Sequence, residues 1–260
     1  MLKKFLFFSI SVLFCCNYVY ADDEYYDEFY DESSVEYSDD NVIIPQDRGL
    51  NDGADLLNVA DFDIAGVMLG MQFEDVYHLF SDGGLYTPRK KNSVIYSIPD
   101  QWRYNLDYEC RQQGTIIPAD LEKCVKSLAK NRGLLYAAEY HLVRESTNET
   151  IDVFFTSNAS DNKVYKIIYK NDTNEQEGEG EKFADQRKKR LKNFWKNVID
   201  KYGAPNSGDD VWISDTNGSE PFMMIWPGQL ELVNNGLKNR DSVTSVTQST
   251  EYFKMKPYAF

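Results

Sequence analysis

Histidine and cysteine, which often carry catalysis or bind metals, are scarce in this chain of 260 residues, with two histidines and four cysteines. No nucleophile elbow, phosphate-binding loop or metal-binding helix motif occurs. Zinc held by Cys110 and Cys124 would need two further ligands, and only His78 and His141 could supply them. The sequence therefore predicts no catalytic residue, no cofactor and no metal site.

Basic charge is also in short supply. Lysine and arginine together number 28 against 42 acidic residues, which gives a net charge of -14. A nucleic-acid-binding protein needs clustered basic residues to displace counterions from phosphates. The charge balance therefore argues against a nucleic-acid partner.

A long apolar run at the N-terminus is missing as well. Residues 5–14 form an apolar run of about ten residues after Lys3 and Lys4, and Ala21 precedes an acidic stretch. A membrane-spanning helix needs roughly 20 apolar residues, whereas a positive start, a short apolar run and a small final residue are typical of a secretory signal peptide. We expect residues 1–21 to be a signal peptide and the mature protein to be exported, to the periplasm or outside the cell.

An acidic, tyrosine-rich leader follows the predicted signal peptide. Residues 22–40 read DDEYYDEFYDESSVEYSDD, with no Lys or Arg. High charge with few aliphatic residues cannot bury enough surface to offset ordering entropy, so residues 22–55 are predicted to be disordered. Its aromatic residues make it a candidate binding segment for a basic, partly apolar groove: Tyr25, Tyr26, Phe29 and Tyr30.

Two cysteines, Cys110 and Cys124, remain after the predicted signal peptide. An even count in an oxidising compartment predicts one structural disulfide. Closing a loop of this length stabilises a fold by about 3 kcal/mol in the chain-entropy picture.

Hydrophobic periodicity predicts an α+β fold, with short helices packed on an antiparallel sheet. Residues 72–81 have the spacing of a short amphipathic helix, a second helix begins at Pro118, and residues 183–202 carry an apolar stripe of helical period that ends at Gly203. Strands are predicted at 134–144, 151–156, 164–169, 211–214, 222–226, 230–233, 242–248 and 252–255. These elements divide the chain into two blocks, which could be two related modules. Residues 56–172 would form an α+β module with the disulfide, and residues 173–260 would form a helix with antiparallel strands. The second block could equally continue the same sheet.

Candidate binding residues also occur outside the leader. Exposed loop aromatics with arginine are expected at Trp102, Arg103, Tyr104 and Trp226, because Trp, Tyr and Arg dominate interface energetics. A basic helix face is predicted at Arg187, Lys188, Lys189, Arg190 and Lys192. It is either a solvated surface or a weak contact for anionic lipid, where each basic residue contributes about 1 kcal/mol.

Two segments carry a resemblance to a known family. Residues 64–76, IAGVMLGMQFEDV, resemble the G-x-x-L-G-M-[ST]-x-x-x-V opening of the SmpA/OmlA-like outer-membrane-assembly lipoproteins, whose structural class includes the β-lactamase inhibitor protein fold. Residues 198–205, VIDKYGAP, with Trp212 shortly after, are similar to the helix end and following strand of that class. The resemblance implies a helical pair packed on an antiparallel sheet that binds protein.

Taken together, these features favour an exported, non-enzymatic protein that binds an envelope or secreted protein, or serves as a scaffold in envelope assembly. One alternative is a secreted hydrolase that uses a carboxylate pair, such as Glu74 with Asp75 or Asp209 with Asp210. Another is a protein that binds anionic membrane surfaces through its basic helix.

Overall fold

The computed structural model describes residues 57–81, 83–171, 181–214 and 221–254. The predicted signal peptide and the whole leader, with Tyr25, Tyr26, Phe29 and Tyr30, lie outside the described residues. The fold is α+β, as predicted, with helices packed on an antiparallel sheet. None of the helices in these ranges is both long enough and apolar enough to cross a membrane.

The helices of the described residues are α1 (Phe73–Ser81), α2 (Asp100–Gln112), α3 (Pro118–Asn131), α4 (Glu181–Tyr202) and α5 (Asn235–Lys254). The first strands are β1 (Asp63–Ile64), β2 (Val67–Met68), β3 (Thr87–Pro88), β4 (Val94–Ser97) and β5 (Tyr136–Arg144). They are followed by β6 (Glu149–Phe155), β7 (Val164–Asn171), β8 (Val211–Ile213), β9 (Phe222–Trp226) and β10 (Gln229–Val233). Short 3-10 helices lie at Val59–Asp61 and Asn158–Ser160.

Eight of these strands form one sheet in the order β3-β5-β6-β7-β10-β9-β8, and β4 pairs with β5 beside β3. All pairs of neighbouring strands in this sheet are antiparallel. Strand β7 belongs to the predicted 56–172 block and β10 to the 173–260 block, and the two pair over five residues. The strands of both blocks therefore lie in a single sheet.

One face of the sheet carries the main hydrophobic core. Strands β6, β9 and β10 bury every second side chain, which is the period expected when a single face is covered. Helices α1 and α4 and the segment before α1 cover this face, through Val76, Phe80 and Val198 among others. Burial of this face, more than intrinsic propensity, holds the short helix α1 in place.

The segment before α1 contains two glycines with positive φ, Gly66 and Gly70, a conformation that glycine adopts without steric cost. Strands β1 and β2 form a hairpin in which Ala65 and Gly66 both have positive φ, 53° and 85°. The Gly70 amide donates to the Val164 carbonyl at 2.8 Å, which attaches this segment to the start of β7.

A second, smaller core joins α2, α3 and α5. Trp102, Leu106 and Cys110 of α2 pack against the inner side of α3, and Tyr252 and Phe253 of α5 pack on the same cluster. The predicted disulfide between Cys110 and Cys124 is present, with 14 residues of sequence separation. Arg132 adds a two-pronged ion pair with Glu109 at 2.7 and 3.1 Å.

The predicted strands at 242–248 and 252–255 are wrong, because residues 242–248 and 252–254 lie in helix α5, and residue 255 lies outside the described residues. The alternation of Val and Thr in VTSVTQ resembles a strand, yet the buried stripe of this helix is polar and consists of Asp241, Ser245 and Ser249. Each of two stripe residues has a distant hydrogen-bond partner, Asp241 with Ser157 and Ser249 with Asn105. An apolar-periodicity argument cannot detect such a helix.

Candidate functional site

The face of the sheet opposite the main core is the candidate functional site. Strand register places alternate residues of six strands on this side. Val233 of β10, opposite Phe222 and Lys166, is buried, and the others are at least partly exposed. We call this surface the open face, and its residues are Glu139, His141, Val143, Thr150, Asp152, Phe154, Lys166, Ile168, Lys170, Val211, Ile213, Phe222, Met224, Trp226, Gln229 and Glu231.

The apolar side chains of the open face have no place in either hydrophobic cluster of the described residues. Neither cluster includes Phe154, Ile168, Phe222, Met224 or Trp226. Isolated exposed apolar residues are ordinary, whereas a contiguous set across neighbouring strands marks an interaction surface. Register makes only part of the set contiguous: Met224 pairs with Val211 and Phe222 pairs with Ile213, whereas Glu231 lies between Met224 and Ile168.

A histidine and two carboxylates lie at one side of the open face. His141 of β5 and Asp152 of β6 are directly opposite in register, and His141 Nδ1 lies 2.6 Å from Asp152 Oδ1. On its other side, His141 Nε2 lies 3.2 Å from Glu139 Oε2. All three side chains are largely shielded from solvent.

This arrangement limits what His141 can do. A carboxylate that holds one imidazole nitrogen is the usual orienting partner of a general base, but the second nitrogen must then be available to substrate. Here Glu139 lies against that nitrogen. The two carboxylates also contact opposite edges of the ring, so they do not converge on one point, and no three potential ligands in the described ranges are placed to hold a metal ion. The geometry suits a structural contact between His141 of β5 and Asp152 of β6.

A second ion pair lies toward the middle of the open face. The Lys166 ammonium of β7 contacts the Glu231 carboxylate of β10, and it also lies 5.9 Å from the centre of the Phe154 ring. Next to Phe154 is Tyr165, at 6.4 Å between ring centres. Burial, and then the negative charges of Glu139 and Asp241, raise the pKa of the Tyr165 phenol. In the middle of the open face, the charges of Lys166 and Glu231 therefore compensate each other beside the apolar ring of Phe154.

The structure separates the four aromatic and arginine residues expected in loops. Trp102 is only 7% exposed and lies inside helix α2, so the expectation of an exposed loop aromatic is wrong for it. Arg103 and Tyr104 are on the outer side of the same helix, where Arg103 pairs with Glu122 and Tyr104 is 72% exposed. Trp226 ends strand β9 and lies on the open face. The fold does not bring Trp226 together with the three residues of α2 in one site.

The five basic residues all lie on helix α4, as predicted. Lys188, Lys189, Arg190 and Lys192 are exposed, and Arg187 is partly exposed. Helix α4 packs on the main core through Phe194, Trp195 and Val198. The basic residues do not form one face opposite that contact, because residues 187–190 are consecutive and span a full turn. Binding of this helix to anionic lipid stays a prediction.

The carboxylate pairs considered for hydrolysis are on the surface. Glu74 and Asp75 are exposed in the first turn of α1, and Asp209 and Asp210 are exposed before β8. An acid and a base that face each other across a cleft is the arrangement that glycoside hydrolysis requires. Adjacent exposed carboxylates do not provide it.

Sequence reasoning missed most of the open face. It left His141 as an isolated residue in a strand and did not connect it with Asp152, because their contact depends on the register of two strands. The alternation of FMMIW at Phe222–Trp226 was a usable signal. It indicates two faces of a strand, and only the other elements decide which face is covered.

A comparison with protein-family models, with curated proteins and with solved structures finds no match for this chain.

Proposed function

We propose that this chain is an exported, non-enzymatic protein that binds another protein through the open face of its sheet. The observation that carries the proposal is the set of partly exposed apolar side chains on that face, which includes Ile168, Met224 and Trp226. Protein interfaces combine an apolar centre with few uncompensated charges, and they are rich in aromatic residues and methionine. The open face has both properties.

Compensated charges make this surface suitable for burial under a partner. A buried charge without a partner is strongly unfavourable, whereas a paired charge loses far less on desolvation. Glu231 already forms an ion pair with Lys166, and the Asp152 carboxylate already has a hydrogen-bond partner in His141 Nδ1. A partner can therefore cover the middle of the open face without having to neutralise each group.

The partner's surface follows from this chemistry. The face carries the carboxylates of Glu139, Asp152 and Glu231 against the ammonium groups of Lys166 and Lys170, and the whole chain has a net charge of -14. Complementary potential speeds association and selects partners. The proposed partner presents apolar side chains surrounded by basic residues.

Export is proposed on two grounds. Residues 1–21 have the charge and hydropathy pattern of a secretory signal peptide. The Cys110–Cys124 disulfide is of the kind that persists in oxidising compartments. The resemblance of residues 64–76 to outer-membrane-assembly lipoproteins supports a partner in the cell envelope.

Site-specific photo-crosslinking tests the proposal. A photoreactive amino acid at Ile168, in the middle of the open face, should capture one defined protein in cells that produce the chain naturally. The same group at the exposed Tyr104 of α2 is the matched control and should not capture it. Capture from Tyr104 and not from Ile168 would place binding elsewhere.

Affinity for the purified captured protein then tests the contribution of each side chain. Trp226→Ala or Met224→Ala should weaken binding by about 30-fold if the residue is a hot spot of roughly 2 kcal/mol. Deletion of residues 22–40 should retain binding if the open face is sufficient. Loss of binding on that deletion, with Trp226→Ala neutral, would assign the function to the leader.

A further inference from the structure

A cleft of about 270 Å³ lies between the start of α2, the start of β5 and one side of α5. We call it the α5 cleft. Its walls include Asp100, Tyr136, Lys238, Asp241 and Ser245. None of these residues belongs to the open face, so the cleft is a separate feature of the molecule.

The hydroxyl of Ser245 points to a ligand in the α5 cleft. Ser245 is 4% exposed, and its Oγ is a buried polar atom with no hydrogen-bond partner among the described residues. Buried polar groups are nearly always hydrogen-bonded, and an exception calls for a bound water or ligand that completes the set. Because Ser245 lines the cleft, a molecule in the cleft is the available partner.

Asp241 supplies a buried negative charge beside that hydroxyl. Its carboxylate accepts two hydrogen bonds from Ser157, at 3.0 Å from the amide and 2.6 Å from the hydroxyl. An ionised carboxylate has about four acceptor positions, so capacity remains for a donor in the cleft. Burial, and then the charge of Asp241, raise the pKa of Tyr136 to about 12, which keeps this phenol neutral and able to donate.

The charges of the cleft are of both signs. Lys238 precedes Asp241 by three residues on α5, a spacing that puts the two side chains on one side of a helix, with roughly 5–6 Å between Cβ atoms. The Lys238 ammonium lies 5.1 Å from the centre of the Tyr165 ring. Asp100, the first residue of α2, adds a second carboxylate at the rim. Two negative groups and one positive group suit a ligand that carries an ammonium and a carboxylate.

We propose that the α5 cleft binds a small α-amino acid as a zwitterion. Its ammonium donates to Asp241 and to the hydroxyl of Ser245, and its carboxylate meets Lys238. Pockets for drug-sized ligands occupy about 300–1,000 Å³, and the α5 cleft is smaller than that range. The apolar part of the ligand then lies toward Val246 and Pro99, which also line the cleft.

Titration of the mature protein with L-alanine, followed by amide NMR, tests this inference. Saturable shifts are expected at the start of α2 and in the first half of α5. Alaninamide lacks the carboxylate charge and N-acetylalanine lacks the ammonium charge, and each should bind at least about tenfold more weakly than alanine. If alaninamide bound as tightly as alanine, Lys238 would not contact the ligand carboxylate. The absence of any saturable shift would overturn the proposal.

Two variants separate ligand binding from folding. Ser245→Ala removes the unpartnered hydroxyl without adding an atom at this buried position, and it should abolish the alanine shifts while the rest of the spectrum is retained. Lys238→Met should weaken alanine binding and leave alaninamide binding unchanged. Thr247→Ala, on the exposed side of the same helix, is the control and should bind alanine like the wild type. Alanine binding that survives Ser245→Ala would show that the ligand lies elsewhere.

Discussion

Asp241 of α5 accepts two hydrogen bonds from Ser157, a residue 84 positions earlier that follows β6. Both residues are almost fully buried. The contact fixes the first half of α5 against the turn that contains the Asn158–Ser160 3-10 helix. A helix whose buried stripe is polar is thus held by charge-assisted hydrogen bonds, which are stronger than neutral ones.

Removal of this contact should destabilise the fold. In Asp241→Ala the amide and hydroxyl of Ser157 lose their acceptor, so we expect a loss of about 3 kcal/mol in the free energy of unfolding. Asp241→Asn keeps one acceptor oxygen and should lose about 1 kcal/mol. Urea unfolding monitored by circular dichroism measures both values. The exposed neighbour Ser242→Ala is the control, and an Asp241→Ala variant as stable as that control would refute the structural role of the contact.

The disulfide should contribute measurably to stability. Because Cys110 and Cys124 close a short loop between α2 and α3, their replacement by serine should lower the free energy of unfolding by about 3 kcal/mol. Guanidinium unfolding with and without a reductant measures the effect. The reductant should destabilise the wild type to the level of the double-serine variant and leave that variant unchanged. An equal response of both proteins would mean that the bond does not form.

The Asp63–Lys201 pair predicts an acid-sensitive contact. Burial raises the pKa of the Asp63 carboxyl, but the Gly66 amide at 2.9 Å and the Lys201 ammonium at 3.0 Å outweigh it, and the pKa is lowered. A carboxyl with a lowered folded-state pKa stabilises the fold above its unfolded pKa of about 3.9, and that contribution is lost as the pH falls through the folded value.

Thermal unfolding measured between about pH 6 and pH 2 tests this contact. The melting temperature of the wild type should fall more steeply below about pH 4 than that of Asp63→Asn. Lys201→Met removes the contact from the other side and should flatten the same part of the curve. Parallel curves for all three proteins would show that the pair does not stabilise the fold.

Trp212 and Trp226 should differ sharply when replaced. Trp212 of β8 is fully buried in the main core, and its indole Nε1 donates to the Gly203 carbonyl at 3.1 Å. Trp212→Ala should therefore cost about 3–5 kcal/mol of stability. Trp226→Ala on the open face should change stability by less than about 1 kcal/mol. Chemical unfolding of both variants checks this, and a large loss in Trp226→Ala would mean that the open face is covered.

Local signals in the sequence were sufficient for much of the fold. Pro118 at the first position of α3 and Gly203 after α4 mark helix ends through backbone constraints that involve only neighbouring residues. Strand alternation predicted β6, β9 and β10 for the same reason, because a side-chain period of two is visible in a few residues. Helix α2 was not predicted, and its buried stripe of Trp102, Leu106 and Cys110 is sparse.

The sequence by itself determined the α+β class, the pair of cysteines, the acidic balance and most of the sheet strands, since each depends on composition or on short-range periodicity. Only the tertiary structure decided that 242–254 is helical, because the partners of Asp241 and Ser249 lie 84 and 144 residues away. It also decided that His141 meets Asp152 and that the elements in the described residues leave one side of the sheet partly exposed. Register and layer packing are long-range properties, and the residues that share a surface there are not neighbours in the chain.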